Sequence, residues 1–89
     1  MTVELFGPAR VLAGRALVEI AVDEPTDLRS FLRALTTALP SFVGEIVTGE
    51  RDAFVEPNLL LLDGVRAVDG DVRFTSADRP CVLFLASGG

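Results

Sequence analysis

The chain has 89 residues, 49% of them hydrophobic, and 13 carboxylates stand against eight arginines for a formal charge of −5. That length suits a single domain with one core, and a domain this short hides only about 60 to 65% of the surface its unfolded chain exposes, so it needs the apolar content. The acidic balance argues against nucleic acid, which demands clustered basic groups, and no apolar run approaches the roughly 20 residues that span a bilayer.

Val3 and Leu5 alternate with Glu4 ahead of Phe6 and Gly7-Pro8, which predicts a strand over Thr2 to Phe6 running into a loop. After Gly14, the β-branched Val18, Ile20 and Val22 recur at every second position, predicting a second strand over Ala16 to Val22 as its hairpin partner. Asp23-Glu24-Pro25 is turn material; Thr26 stands where an N-cap belongs, with Asp27 in the first turn of a helix. Leu28, Phe31, Leu32, Leu35 and Leu39 then form one apolar stripe, with Arg29, Arg33 and Thr36 outside it, and Pro40 stops the helix. Ser41 starts a short stretch carrying Phe42, Ile46 and Val47, but Gly44 and Gly49 interrupt it, so the segment to Pro57 is read as irregular.

Asn58 to Leu62 is a compact apolar run, and Asp63-Gly64 before Val65 to Val68 predicts two strands joined by a two-residue hairpin turn. Asp69-Gly70-Asp71 is one more tight turn. Pro80 to Ala86 is apolar at consecutive positions, as in a central strand covered on both faces and flanked by parallel neighbours. The expected fold is therefore α+β: a mixed sheet of about five strands with one main helix on one face. The first and last strands lie central and parallel, and residues 86–89 follow as a flexible tail of a single domain spanning 1–89. Apolar residues on both faces of the last strand exceed what one helix hides, and the surplus is a protein-binding patch.

The chemistry-bearing inventory is short. No histidine and one cysteine leave no zinc ligand set and no nucleophile paired with an imidazole. Cys81, inside the apolar last strand, is read as a buried inert thiol, and Asp69, Asp71 and Asp78 as turn residues bonded to nearby backbone. Neither a phosphate-binding loop nor a dinucleotide fingerprint is present, so this chain is expected to bind no cofactor and ATP to be used by an activating partner. Met1 to Leu12 lacks the basic start and apolar stretch of a secretory signal, and one cysteine cannot form an internal disulfide, so a cytoplasmic location is expected.

What remains is Ser87-Gly88-Gly89. Two glycines in the last two positions arise by chance in roughly 0.5% of chains at average glycine usage. Without a Cβ, such a pair can thread a narrow tunnel in another protein's active site. The reactive group would be the Gly89 carboxylate, made a good acyl donor as an adenylate, from which a sulfur nucleophile displaces AMP to leave a thiocarboxylate. Lysine is absent altogether; a genome rich in G and C explains that, and a reactive acyl end would also benefit from having no amine beside it.

These residues resemble the MoaD/ThiS sulfur carriers over nearly the whole chain. Leu5-Phe6-Gly7-Pro8-Ala9-Arg10 with Ala13-Gly14 is similar to the opening of MoaD-like members, and Pro25-Thr26 and Ser87-Gly88-Gly89 also match. Leu85-Ala86 depart from the pattern, since prolines often precede the tail in MoaD-like members. The resemblance implies a ubiquitin-like β-grasp, and a chain that is not catalytic alone. In the MoaD branch, which the length favours, it would be the sulfur-donating small subunit of molybdopterin synthase in molybdenum cofactor biosynthesis. It implies three partners: a ubiquitin-activating-like adenylyltransferase, a sulfur donor protein and the large synthase subunit holding a pyranopterin precursor. It also implies that Phe6 and Leu83 on the open sheet face, with Leu85 and Ser87 beside the tail, meet those partners, although ordinary core packing also accounts for Phe6 and Leu83. A carrier for thiamin or cysteine biosynthesis, a ubiquitin-like protein modifier and a non-catalytic β-grasp interaction module are the alternatives.

Overall fold

The computed structural model describes residues 1–85, and the expected tail over 86–89 lies outside them, as does Ala86 at the end of the predicted last strand. Five strands form one sheet: β1 (Thr2–Leu5), β2 (Leu17–Glu19), β3 (Asn58–Leu62), β4 (Arg66–Ala67) and β5 (Cys81–Phe84). Their spatial order is β2-β1-β5-β3-β4, so the first and last strands are central and parallel, as expected. The prediction of two parallel neighbours for β5 is corrected: β3 pairs with it antiparallel, Leu60 opposite Val82.

Two helices accompany the sheet, α1 (Gly7–Ala13) and α2 (Leu28–Ala38). The loop predicted after Phe6 is in fact α1. Pro8 occupies its first turn, where a missing N–H costs nothing, and Gly14 closes it at φ 71°, donating to the carbonyls of Arg10 and Val11. Only Ala9 of this helix is buried, so the chain carries no apolar stripe to betray it. In α2, Phe31, Leu32 and Leu35 are fully buried, and Phe31 meets Phe74 edge to face with ring centroids 5.5 Å apart.

The cap of α2 is Asp27, not Thr26: its carboxylate accepts the Ser30 N–H at 2.9 Å. Thr26 is occupied otherwise, because its backbone exchanges two 2.9 Å hydrogen bonds with Phe74. Thr36, expected on the outer face, is buried; its hydroxyl donates to the Leu32 carbonyl at 2.8 Å and accepts from Arg51 Nε at 2.7 Å. Arg51 thereby ties the irregular 43–57 segment, which contributes Ile46 and Val47 to the core, onto the helix.

Strands β2 and β4 are shorter than predicted. The β2 ladder ends where the Ile20 N–H donates to the Met1 carbonyl, although Ile20 itself stays in the core. Between β3 and β4 the pairing of Leu62 with Arg66 leaves three residues, Asp63 to Val65, in the turn instead of two. Burial selects that register. It sets Val68 against Leu60, with the Val68 N–H donating to the Leu60 carbonyl, on the core side; a two-residue turn would move Val68 to the opposite face.

Candidate functional site on the open sheet face

Successive side chains along a strand point to opposite faces. Val3, Leu5, Leu60, Leu62 and Val82 enter the core with α2. The intervening residues therefore form the other face, where register places Glu4 beside Cys81 and Cys81 beside Leu61, with Leu83 beside Leu59 one step on. Helix α2 packs on the core side, and Gly7 at the start of α1 lines the edge of this one. Coverage of both β5 faces was expected, with an apolar surplus left over; on the core side Val82 is fully buried, while on this face Cys81 is buried and Leu83 only half-buried.

Glu4, Phe6, Leu61, Arg79, Cys81 and Leu83 line a concavity of about 560 Å³ on this face. The structure thus brings Phe6 and Leu83 together. Phe6 is 44% exposed and its backbone N–H donates to the Val82 carbonyl at 2.9 Å, so the ring is held at the rim by the parallel ladder and is no core residue. Leu83 is half-buried on the floor. Leu85 does not line the concavity; it lies just past the strand, 60% exposed, its N–H donating to the Pro57 carbonyl at 3.2 Å. Ser87, Gly88 and Gly89 lie outside the described residues.

Cys81 sits in the middle of this face, and its thiol is buried. Burial pushes the thiol's pKa up and the Glu4 carboxylate pushes it further, while a backbone hydrogen bond with Leu61 opposes both. A protonated thiol is a weak nucleophile, which agrees with the inert role read from the sequence. Asp78 is a turn residue as expected, accepting the Thr75 N–H at 2.8 Å in a capping box.

Sequence reasoning missed Leu61 and Glu4 as part of this site. Alternation in Val3-Glu4-Leu5 carries the signal for Glu4, but the unbroken leucine run hides which of its members face outward.

Neither the family models nor the curated proteins contain a match to this chain. Among solved structures, SAMP1 from Haloferax volcanii superposes with a TM-score of 0.79 at 22% identity, over 100% of this chain and 98% of that one. The fold is the ubiquitin-like β-grasp. In this β-grasp, β5 delivers the chain out of the sheet beside the rim formed by Phe6, at one end of the half-exposed apolar face. No helix of the described residues is long and apolar enough to cross a membrane.

Proposed function

We propose that the chain is a sulfur carrier whose Gly89 carboxylate is the cargo-bearing group. The supporting observation is the juxtaposition just described: a half-exposed apolar concavity on the sheet face opposite α2, next to the strand end that leads into Ala86-Ser87-Gly88-Gly89. A partner seated over Phe6 and Leu83 would have the residues after Leu85 within reach of its own active site, and the net charge of −5 favours a basic cleft there. Leu85 and Ser87 would line the entry.

The chemistry follows from what the chain lacks. With no phosphate-binding loop and no histidine, ATP is handled by a separate adenylyltransferase of the ubiquitin-activating kind. A Gly89 carboxylate oxygen attacks the α-phosphorus, pyrophosphate leaves, and the acyl-adenylate forms. Sulfide equivalents from a donor protein then attack the acyl carbon; the carbon–oxygen bond to AMP breaks and a carbon–sulfur bond forms. The thiocarboxylate sulfur then attacks an acceptor, and water cleaves the carbon–sulfur bond, restoring the Gly89 carboxylate and leaving the sulfur on the acceptor; that acceptor would be a pyranopterin precursor bound by the large subunit of molybdopterin synthase, with this chain as the small subunit.

Intact mass tests this. Incubation with ATP, sulfide and an adenylyltransferase is expected to exchange one oxygen for sulfur in the full chain and not in one lacking Gly89. Higher-mass conjugates on lysines of other proteins would instead favour a protein modifier. An unchanged mass with every activating enzyme tried, in a folded chain, would leave a plain interaction module.

A further inference from the structure

An activated C-terminal acyl group is open to any nucleophile: an amine lone pair can attack the acyl carbon, expel AMP and form a stable amide. A β-grasp carrier concentrated near its activating enzyme meets other copies of itself, so its own surface is the nearest hazard. The surface of this chain is notably poor in competitors. It has no lysine, histidine or tyrosine, and all eight of its basic side chains are arginines. Guanidinium groups stay protonated across the accessible pH range and offer no lone pair. Serine and threonine hydroxyls have no imidazole to activate them.

Two nucleophiles remain in the sequence, and the fold restrains both. The Met1 α-amine is part-buried at the start of β1, donating to the Ile20 carbonyl at 3.0 Å and lying 3.7 Å from a Glu19 carboxylate oxygen. Those contacts tether the amine to the end of β2, and an incoming acyl group must displace them to reach it. The Cys81 thiol is buried in the open face between β1 and β3, and burial keeps it protonated. That site is also the one a docked partner would cover.

We propose that this chain is a donor-only acyl carrier: its sequence omits side-chain amines, and its fold restrains the one α-amine and one thiol that could capture an activated C-terminus, its own or another copy's. It therefore neither cyclises nor builds chains of itself, and the acyl group is left for an external sulfur nucleophile. The direction of transfer rests on the sulfur-carrier reading; the inertness of the surface does not.

The test uses an N-hydroxysuccinimide acetate reagent on the full chain, with Met1 shown to be retained by mass. The native chain is expected to form the hydroxylamine-stable acetyl amide at Met1 at least about tenfold more slowly than the same chain in denaturant, as expected for a part-buried amine held by a hydrogen bond. Native Arg29→Lys, which places one amine on the exposed side of α2, is expected to gain one group at the rate of a free amine. A native chain acetylated as fast as the unfolded one would overturn the proposal. In a second arm, chains bearing a thioester at Gly89 are held at high concentration. The parent should yield only hydrolysed monomer and Arg29→Lys amide-linked dimers; dimers in both, or in neither, would also overturn it. Neither arm contains the activating enzyme, so a failure of sulfur loading would sink the carrier reading and leave these results standing.

Discussion

The two faces of the β-grasp sheet use the same residue types to opposite ends. On the α2 side, Leu60, Leu62 and Val82 are buried to within 1% of full exclusion from solvent, and there the apolar area drives folding. On the other side Leu59, Leu61 and Leu83 stay half-exposed, the last two lining a concavity with Phe6 at its rim. Apolar area left there contributes little to folding and is available for association. Strand geometry divides the two roles, so residues adjacent in sequence carry different kinds of free energy.

The sharpest way to break this comparison is inside the leucine run of β3. Leu60→Ala empties a fully packed position and is expected to cost about 2 to 5 kcal/mol, a large fraction of the total for a small domain. Leu61→Ala, one residue on and facing outward, is expected to cost roughly 1 kcal/mol because only half its area is lost from burial. Urea midpoints measure both. Sulfur loading should reverse the ranking: Leu61→Ala and Leu83→Arg impair it in a protein that is still folded, whereas Leu60→Ala acts only through unfolding. Equal stability losses at 60 and 61 would mean that the open face is part of the core.

A second test sharpens the comparison by perturbing the covered side without touching the sheet. Arg51 donates from Nε to Thr36 and from a terminal nitrogen to the Arg33 carbonyl and the Thr37 hydroxyl, at 2.7 to 3.0 Å. Arg51→Ala is expected to lose about 1 to 2 kcal/mol, since a net hydrogen bond is worth about 1 kcal/mol and a buried Thr36 hydroxyl loses a partner. Amide exchange should quicken across residues 43–57 and α2. Sulfur loading should be unchanged; a loss comparable with Leu83→Arg would show that the two faces are coupled.

Much of this architecture was legible in the chain, and the misses share a cause. Periodicity located β1 and α2, a compact apolar run located β3, and the consecutive apolar residues of β5 placed it at the centre of the sheet. What single-chain patterns do not carry is which groups a neighbour will occupy. Thr26 resembles a cap until Phe74 takes its backbone hydrogen bonds, and Asp63-Gly64 resembles a two-residue turn until Val68 must reach the core. Helix α1 was missed because only Ala9 is buried, though Pro8 and Gly14 marked its ends. At the candidate site, Phe6 and Leu83 could be named from a resemblance, but the part played by Leu61 and Glu4 required the register between β1, β5 and β3.

The smallest expected effect lies away from both faces, at the clasp between the β2–α2 connection and the turn before β5. The Glu24 carboxylate accepts the Ser76 backbone N–H at 2.6 Å and the Ser76 hydroxyl at 2.7 Å. Those bonds, the backbone one foremost, hold its pKa below the ordinary glutamate value. Because the folded state prefers the charged form, the stabilisation is fully present at neutral pH and is lost as pH falls through the depressed value. Glu24→Gln keeps an acceptor for Ser76 but has no charge to titrate. The stability difference between parent and variant, followed by urea unfolding, should therefore be greatest near neutrality and shrink on the acid side of the carboxylate range. Sulfur loading at neutral pH should be the same in both. A difference that stays constant with pH would show that the clasp acts through shape alone, and one that grows on acidification would reverse the sign of the linkage.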